Sequence, residues 1–137
     1  MNHRYNITIS NRGGYFTIFL KSDLEKNLAR ILFTLGSNED YIIIDDLLTS
    51  KRGCGYGTTL VNQFIDYAKN NFSHSIRIKG YVRHDEIFNY SLGISMEEGL
   101  ISRKRRNNFW RKFGFNIIED KNYHDNILSE LGELKTT

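Results

Sequence analysis

A chain of 137 residues, 39% apolar and 26% charged, carries enough apolar material to bury a core without disulfide staples. Its formal charge of +3 is too small to signal nucleic-acid binding by itself, and no apolar run reaches the length of a membrane span. The lone Cys54 excludes an internal disulfide and a cysteine-based zinc site, and His3, His74, His84 and His124 show no metal-ligand spacing. With no basic-then-apolar signal pattern at the N-terminus, the sequence reads as one cytoplasmic domain over residues 1–137, with no metal expected.

Taken in chain order, Tyr5, Ile7 and Ile9 alternate with polar residues, Asn11-Arg12-Gly13-Gly14 is a turn signal, and residues 15–20 are aromatic and β-branched. Together they predict a hairpin. After the polar break Ser22-Asp23-Leu24-Glu25, the alternation of Ile31, Phe33 and Leu35 predicts a strand over 28–35, while a helix over 23–35 stays open. Gly36-Ser37-Asn38 then turns the chain into residues 41–48, apolar enough for a central strand. Val61, Ile65, Ala68 and Phe72 recur at helical spacing and predict a helix over 58–72. Ile76, Ile78 and Val82 alternate with Arg77, Lys79 and Tyr81, a strand, so residues 41–82 read as a βαβ unit with a right-handed crossover.

Residues 84–101 are longer than a short connection needs. Within them Ser95-Met96-Glu97-Glu98 has the pattern of a helix cap with first-turn acids, and Gly99 invites a break. A basic helix is expected over 100–113, with Phe109 and Phe113 on one face and Gly114 ending it, followed by a strand over 115–119. Over 126–134 a closing strand and a short helix both stay open, since Ile127, Leu128, Leu131 and Leu134 also fit helical spacing. The chain shows no repeat and no linker.

The chemistry concentrates in Lys51-Arg52-Gly53-Cys54-Gly55-Tyr56-Gly57-Thr58-Thr59, between an apolar strand and a helix. Glycines there let backbone N–H groups turn inward at positive φ, and the helix dipole faces whatever anion they hold. A P-loop would need a lysine before Ser or Thr at the loop's end, and Gly57 leads into Thr58-Thr59 instead. A dinucleotide fingerprint would need a third glycine where Thr58 stands, an acidic residue about twenty positions on and a larger parallel sheet. Both fail.

Arg52-Gly53-Cys54-Gly55-Tyr56-Gly57 has the form R-x-x-G-x-G and resembles the acetyl-CoA loop of the GNAT family of N-acetyltransferases. Farther on, Phe109-Trp110-Arg111-Lys112-Phe113-Gly114-Phe115 resembles that family's F-Y-x-K-x-G-F segment. The two motifs stand in the family's order, and the resemblance covers about residues 15–119. It implies an α/β fold with a mixed, mostly antiparallel sheet and a βαβ acetyl-CoA-binding core. It further implies that the coenzyme's pyrophosphate sits on Arg52, Gly53, Cys54, Gly55, Tyr56, Gly57 and the following Thr58. The pantetheine arm would pair with Leu47, Leu48 and Thr49, where one backbone N–H polarises the thioester carbonyl. The implied activity is acetyl transfer from acetyl-CoA to a primary amine, a protein lysine included.

Such an amine is protonated at neutral pH, and freeing it costs about 4–5 kcal/mol from a pKa of about 10.4. A base is therefore useful, and Asp45 and Asp46 at the end of the central strand are the candidates. Neighbours on a regular strand face opposite ways, so one of the two at most is expected to enter the cleft. The plain structural reading is a strand-capping acid or one paired with a cation. Trp110 stands where the family's tyrosine reprotonates the leaving thiolate, and an indole N–H is no usable acid; water, Tyr81 or Tyr90 are the substitutes. Arg103 and Arg106 stand where the family has an asparagine and a small residue.

The basic run 103–106 fits a solvated helix face, contact with coenzyme phosphates or an acidic acceptor protein, or, less well, nucleic acid. Family members usually begin with a strand and two helices that wall the acceptor cleft, whereas Gly13-Gly14 falls where a helix would be. The expectation is an open cleft, completed by a protein acceptor or by a partner subunit, as in a homodimer, with residues 84–101 as a substitute lid. Two further readings differ in class: a coenzyme-A-binding module without turnover, and a basic nucleic-acid-binding domain.

Overall fold

The computed structural model describes residues 6–24, 26–36, 41–51, 53–72, 77–83, 93, 95–123 and 126–135, and of residues 81, 83 and 119–135 the backbone alone. The chain divides into two compact units, one running to Ile78 and taking in Lys135 at the end of the last strand, and one running from Lys79 to Leu134.

In the first unit, β1 (Asn6–Arg12), β2 (Tyr15–Lys21), β3 (Asn27–Leu35) and β4 (Tyr41–Thr49) pair in chain order, each antiparallel to the next. Arg12 pairs with Tyr15 across the two-residue Gly13-Gly14 turn, and Asn11 Oδ1 accepts the Gly14 N–H at 3.2 Å. The helix left open over 23–35 is not formed. Ser22 and Lys26 close a turn on each other, and β3 follows, because Ile31 and Phe33 gain cross-strand partners in Ile18 and Phe16. Long-range pairing outweighs the local helix propensity of Leu24 to Ala29.

Period-two alternation puts Phe16, Ile18, Leu20, Ala29, Ile31, Phe33, Ile42 and Ile44 on one buried face. The helix α1 (Tyr56–Asn71) packs on β2, β3 and β4 and buries Leu60, Val61, Phe64 and Ala68, which lie along one stripe. The Phe33 ring stacks on Phe16 at 5.1 Å and meets Phe64 at 5.0 Å, and Phe72 closes edge-on against Phe16 and Tyr67. Burying each such side chain contributes about 1.5–3 kcal/mol, so this helix–sheet interface holds α1 and the loop before it in place. The helix begins at Tyr56, two residues before the expected Thr58.

The second unit holds most of β5 (Arg77–Arg83), then α2 (Met96–Arg111), β6 (Ile117–Tyr123) and β7 (Asn126–Lys135), with the strands ordered β5-β7-β6 and β6 antiparallel to β7. The strand–loop–helix–strand order expected over 41–82 is present as β4, α1 and β5. Ser95 caps α2: its Oγ accepts the Glu98 N–H at 3.1 Å, and Glu97 and Glu98 lie in the first turn. Such a cap contributes about 1 kcal/mol. Gly99 does not break the helix; it is buried on the same side as Asn107 and Trp110, where a small residue allows close packing. Trp110, Phe109, Phe113 and Phe115 form a ring cluster with centroids 5.2–6.5 Å apart. Phe115 is drawn into that cluster, so β6 starts at Ile117 and not at 115. Residues 126–134 form a strand, the second of the two alternatives being ruled out by pairing with β6.

Among the described residues no helix precedes β4. The Gly13-Gly14 turn joins the first two strands directly, as the sequence led us to expect. The proposed lid falls largely on residues 84–92, outside the described residues.

Candidate active site

Two pieces of the first unit meet in sequence at the site: the end of β4 and the loop that leads into α1. Gly53 and Gly55 both hold φ of 77°, the left-handed region that favours glycine. Gly55 is the N-cap of α1 and offers no side-chain cap. The first intrahelical bond runs from the Thr59 N–H to the Gly55 carbonyl at 3.0 Å, so the N–H groups of Tyr56, Gly57 and Thr58 precede the helix ladder. No acidic residue stands in the first turn. A Cβ placed on Gly53 or Gly55 would meet nothing within 4 Å, so the loop's outer side is open space. Positive φ, a helix dipole, no nearby carboxylate on the helix and open space suit an anion.

Gly53, Cys54 and Gly55 are exposed, Tyr56 and Thr58 half-buried and Gly57 buried. Cys54 carries a free thiol. Arg52 lies outside the described residues, as does the Tyr81 side chain and all of Tyr90.

At the end of β4 the ladder with β3 slips by one residue. Phe33 pairs with Ile44 and Leu32 with Asp46, which leaves Asp45 as the extra residue of a β-bulge. The bulge overturns the expectation that Asp45 and Asp46 face opposite ways. Thr34 donates its hydroxyl to the Asp45 carboxylate, and Asp46 pairs with Leu32; Thr34 and Leu32, two apart on β3, share a face. Both carboxylates therefore lie on the face away from α1, and both are exposed. Beyond the bulge Leu47 pairs with Ile31, Leu48 with Arg30 and Thr49 with Ala29, and the Ser50 N–H reaches the Leu28 carbonyl at 2.9 Å. The Asp46 Oδ1 accepts the Leu47 N–H at 2.9 Å.

The Asp45 carboxyl is held above the ordinary aspartate range. Partial withdrawal from water is the largest cause, the Asp46 charge adds to it, and the hydrogen bond from Thr34 opposes both. Thr34 escaped the sequence reading. Its link to Asp45 spans eleven residues and depends on register, which no local pattern displays.

In the second unit, Trp110 is 6% exposed and packed among rings, while Arg103 and Arg106 are half-buried on α2.

This mixed α/β architecture is the fold of the GNAT acetyltransferases. Nourseothricin acetyltransferase shares it at 11% identity and a TM-score of 0.60, over 91% of this chain and 67% of that one. A structure assigned to the GNAT family from Desulfovibrio desulfuricans shares it at 12% identity and a TM-score of 0.62, over 90% and 70%. Spermidine N-acetyltransferase from Vibrio cholerae, in complex with CoA and spermine, does so at 10% identity and a TM-score of 0.61, over 90% and 67%. No protein-family model matches the chain, and no curated protein does.

Proposed function

We propose that the protein is an acetyl-CoA-dependent N-acetyltransferase acting on a primary amine, with a protein lysine as the acceptor class. The observation that carries this reading is the Gly53–Gly55 loop at positive φ, set between β4 and the N-terminus of α1 in a chain with the acetyltransferase fold. A lysine side chain suits an N-terminal part whose described residues hold strands and a tight turn and no helix.

Acetyl-CoA supplies the thioester whose carbonyl carbon the amine attacks and whose sulfur leaves. The chain's own residues bind, orient and accept protons. Backbone N–H groups of residues 53–58 take the pyrophosphate, with Arg52 beside them in sequence. The backbone of Leu47, Leu48 and Thr49 aligns the pantetheine arm. The Leu47 N–H is engaged by Asp46 and the Leu48 N–H, like that of Ser50, turns toward β3, so the Thr49 N–H is left as the donor to the thioester carbonyl. One carboxylate of the pair Asp45 and Asp46 takes the ammonium proton, directly or through water, and frees the nitrogen lone pair. The second amine proton leaves as the C–S bond breaks, and water returns a proton to the thiolate. Trp110, buried among rings, has no part in that transfer.

Burial of Trp110 also favours a second reading, a coenzyme-A-binding module without turnover. Free-thiol release measured with acetyl-CoA against polylysine and small amines separates the two. Amine-dependent release supports the enzyme, and tight binding with no release across the panel supports the module. The exposed Cys54 gives an independent check. Its alkylation is expected to proceed readily in the unliganded protein and to slow at least about tenfold at acetyl-CoA concentrations far above Kd. Equal rates with and without the coenzyme would place the ligand elsewhere.

A further inference from the structure

We infer that Asp45, and not Asp46, is the proton acceptor, and that Thr34 is the positioning residue that aims its carboxylate. The inference rests on the acetyltransferase reading and assigns a residue within that site.

The bulge is the structural cause. In a regular ladder Asp45 would sit opposite a β3 residue, tied to its place by pairing. As the extra residue it has no partner on β3, and the Thr34 hydroxyl supplies a tether from that neighbouring strand. Asp46 is engaged differently: it pairs with Leu32, and its Oδ1 is turned back onto the Leu47 N–H at 2.9 Å. A carboxylate turned onto its own backbone has one oxygen occupied and is aimed away from an acceptor amine. Asp45 keeps one neutral donor, Thr34, and sits beside a like charge, so a proton added there relieves repulsion.

Among the described residues of β1 to β3 the charged groups on this face are Arg30 on β3, Lys21 on β2 and Arg12 on β1, with the Tyr15 phenol opposite Thr34, and β5, next to β4 in the strand order, carries the exposed Arg77. By register Arg30 stands opposite Leu48, and Arg12 lies two strands beyond Thr34, so Asp46 is the nearest charge to Asp45 along β4.

The sign of each perturbation follows. Asp45 works as a base only above its own pKa, so activity falls as pH drops through that value. Removing the Thr34 donor destabilises the carboxylate and moves this acid limb to higher pH. Removing the Asp46 charge stabilises it and moves the limb to lower pH.

The experiment is the pH profile of kcat/KM for thiol release with acetyl-CoA and polylysine, joined to a carboxyl-carbon NMR titration of Asp45. Expected are an upward displacement of the acid limb in Thr34→Val, recovery of the wild-type limb in Thr34→Ser, a downward displacement in Asp46→Asn, and a loss of about 10²-fold or more in Asp45→Asn. The NMR midpoint of Asp45 should move in step. An unmoved midpoint in Thr34→Val overturns the tether whatever the activity. Full activity in Asp45→Asn, with loss in Asp46→Asn, overturns the choice of base while the acetyltransferase reading stands. If the midpoints move as expected but the wild type releases no thiol with any amine, the acetyltransferase reading fails, and with it the assignment of Asp45 as a base.

Discussion

Glutamate in place of Gly55 is expected to weaken acetyl-CoA binding by about 10²-fold, with the protein still folded. Two costs add. A side chain at φ of 77° raises the energy of the loop by about 1–2 kcal/mol, and a carboxylate at the N-cap meets the pyrophosphate charge at close range. About 2.7 kcal/mol corresponds to the stated factor. Folding should survive, because a Cβ at Gly55 meets no atom within 4 Å and an acid at an N-cap suits the helix dipole. Gly55→Ala carries the backbone cost without the charge. Isothermal titration of the three proteins therefore divides the effect: alanine should fall between wild type and glutamate. Equal affinity in all three would move the anion away from this loop.

The second large effect concerns Trp110, and it is one of stability. Trp110 packs against Phe109, Phe113 and Phe115 at 5.3, 6.5 and 5.7 Å, and only 6% of its surface is exposed. Truncation to alanine should cost about 3–5 kcal/mol in chemical denaturation, the range for a large aromatic removed from a packed core. Trp110→Phe keeps a ring and removes the indole N–H. Its activity should stay within about threefold of wild type, since an indole N–H transfers no proton in this pH range. A loss of 10²-fold in the phenylalanine variant, with stability kept, would return Trp110 to the chemistry and require a new account of thiol release.

How far the residues announce this architecture depends on the range of the interaction that decides each element. The β1–β2 hairpin is legible because alternation at Ile7 and Ile9 and the Gly13-Gly14 turn are both local. The glycine loop is legible for the same reason: spacing and the adjoining strand and helix lie within about ten residues. Residues 28–35 and 126–134 carry two periodicities at once, and pairing with β2 and with β6 selects the strand in each. Gly99 suggests a break from its own propensity, yet burial on the packed side of α2 keeps the helix whole. The Asp45 bulge leaves no mark in the sequence. One slipped residue reverses which side Asp46 presents, and only the register with β3 reveals it. The candidate site therefore divides in two. Its anion-binding half could be read from residue order, while the arrangement of its carboxylates required the fold.

Native mass spectrometry of the purified chain with acetyl-CoA tests the central claim most directly. One coenzyme mass per chain is expected on the wild type, with the adduct lost in Gly55→Glu at the same ligand concentration. No adduct on the wild type at concentrations well above those that saturate ordinary coenzyme sites, or an adduct unchanged by Gly55→Glu, would contradict the assignment of this loop as the donor site.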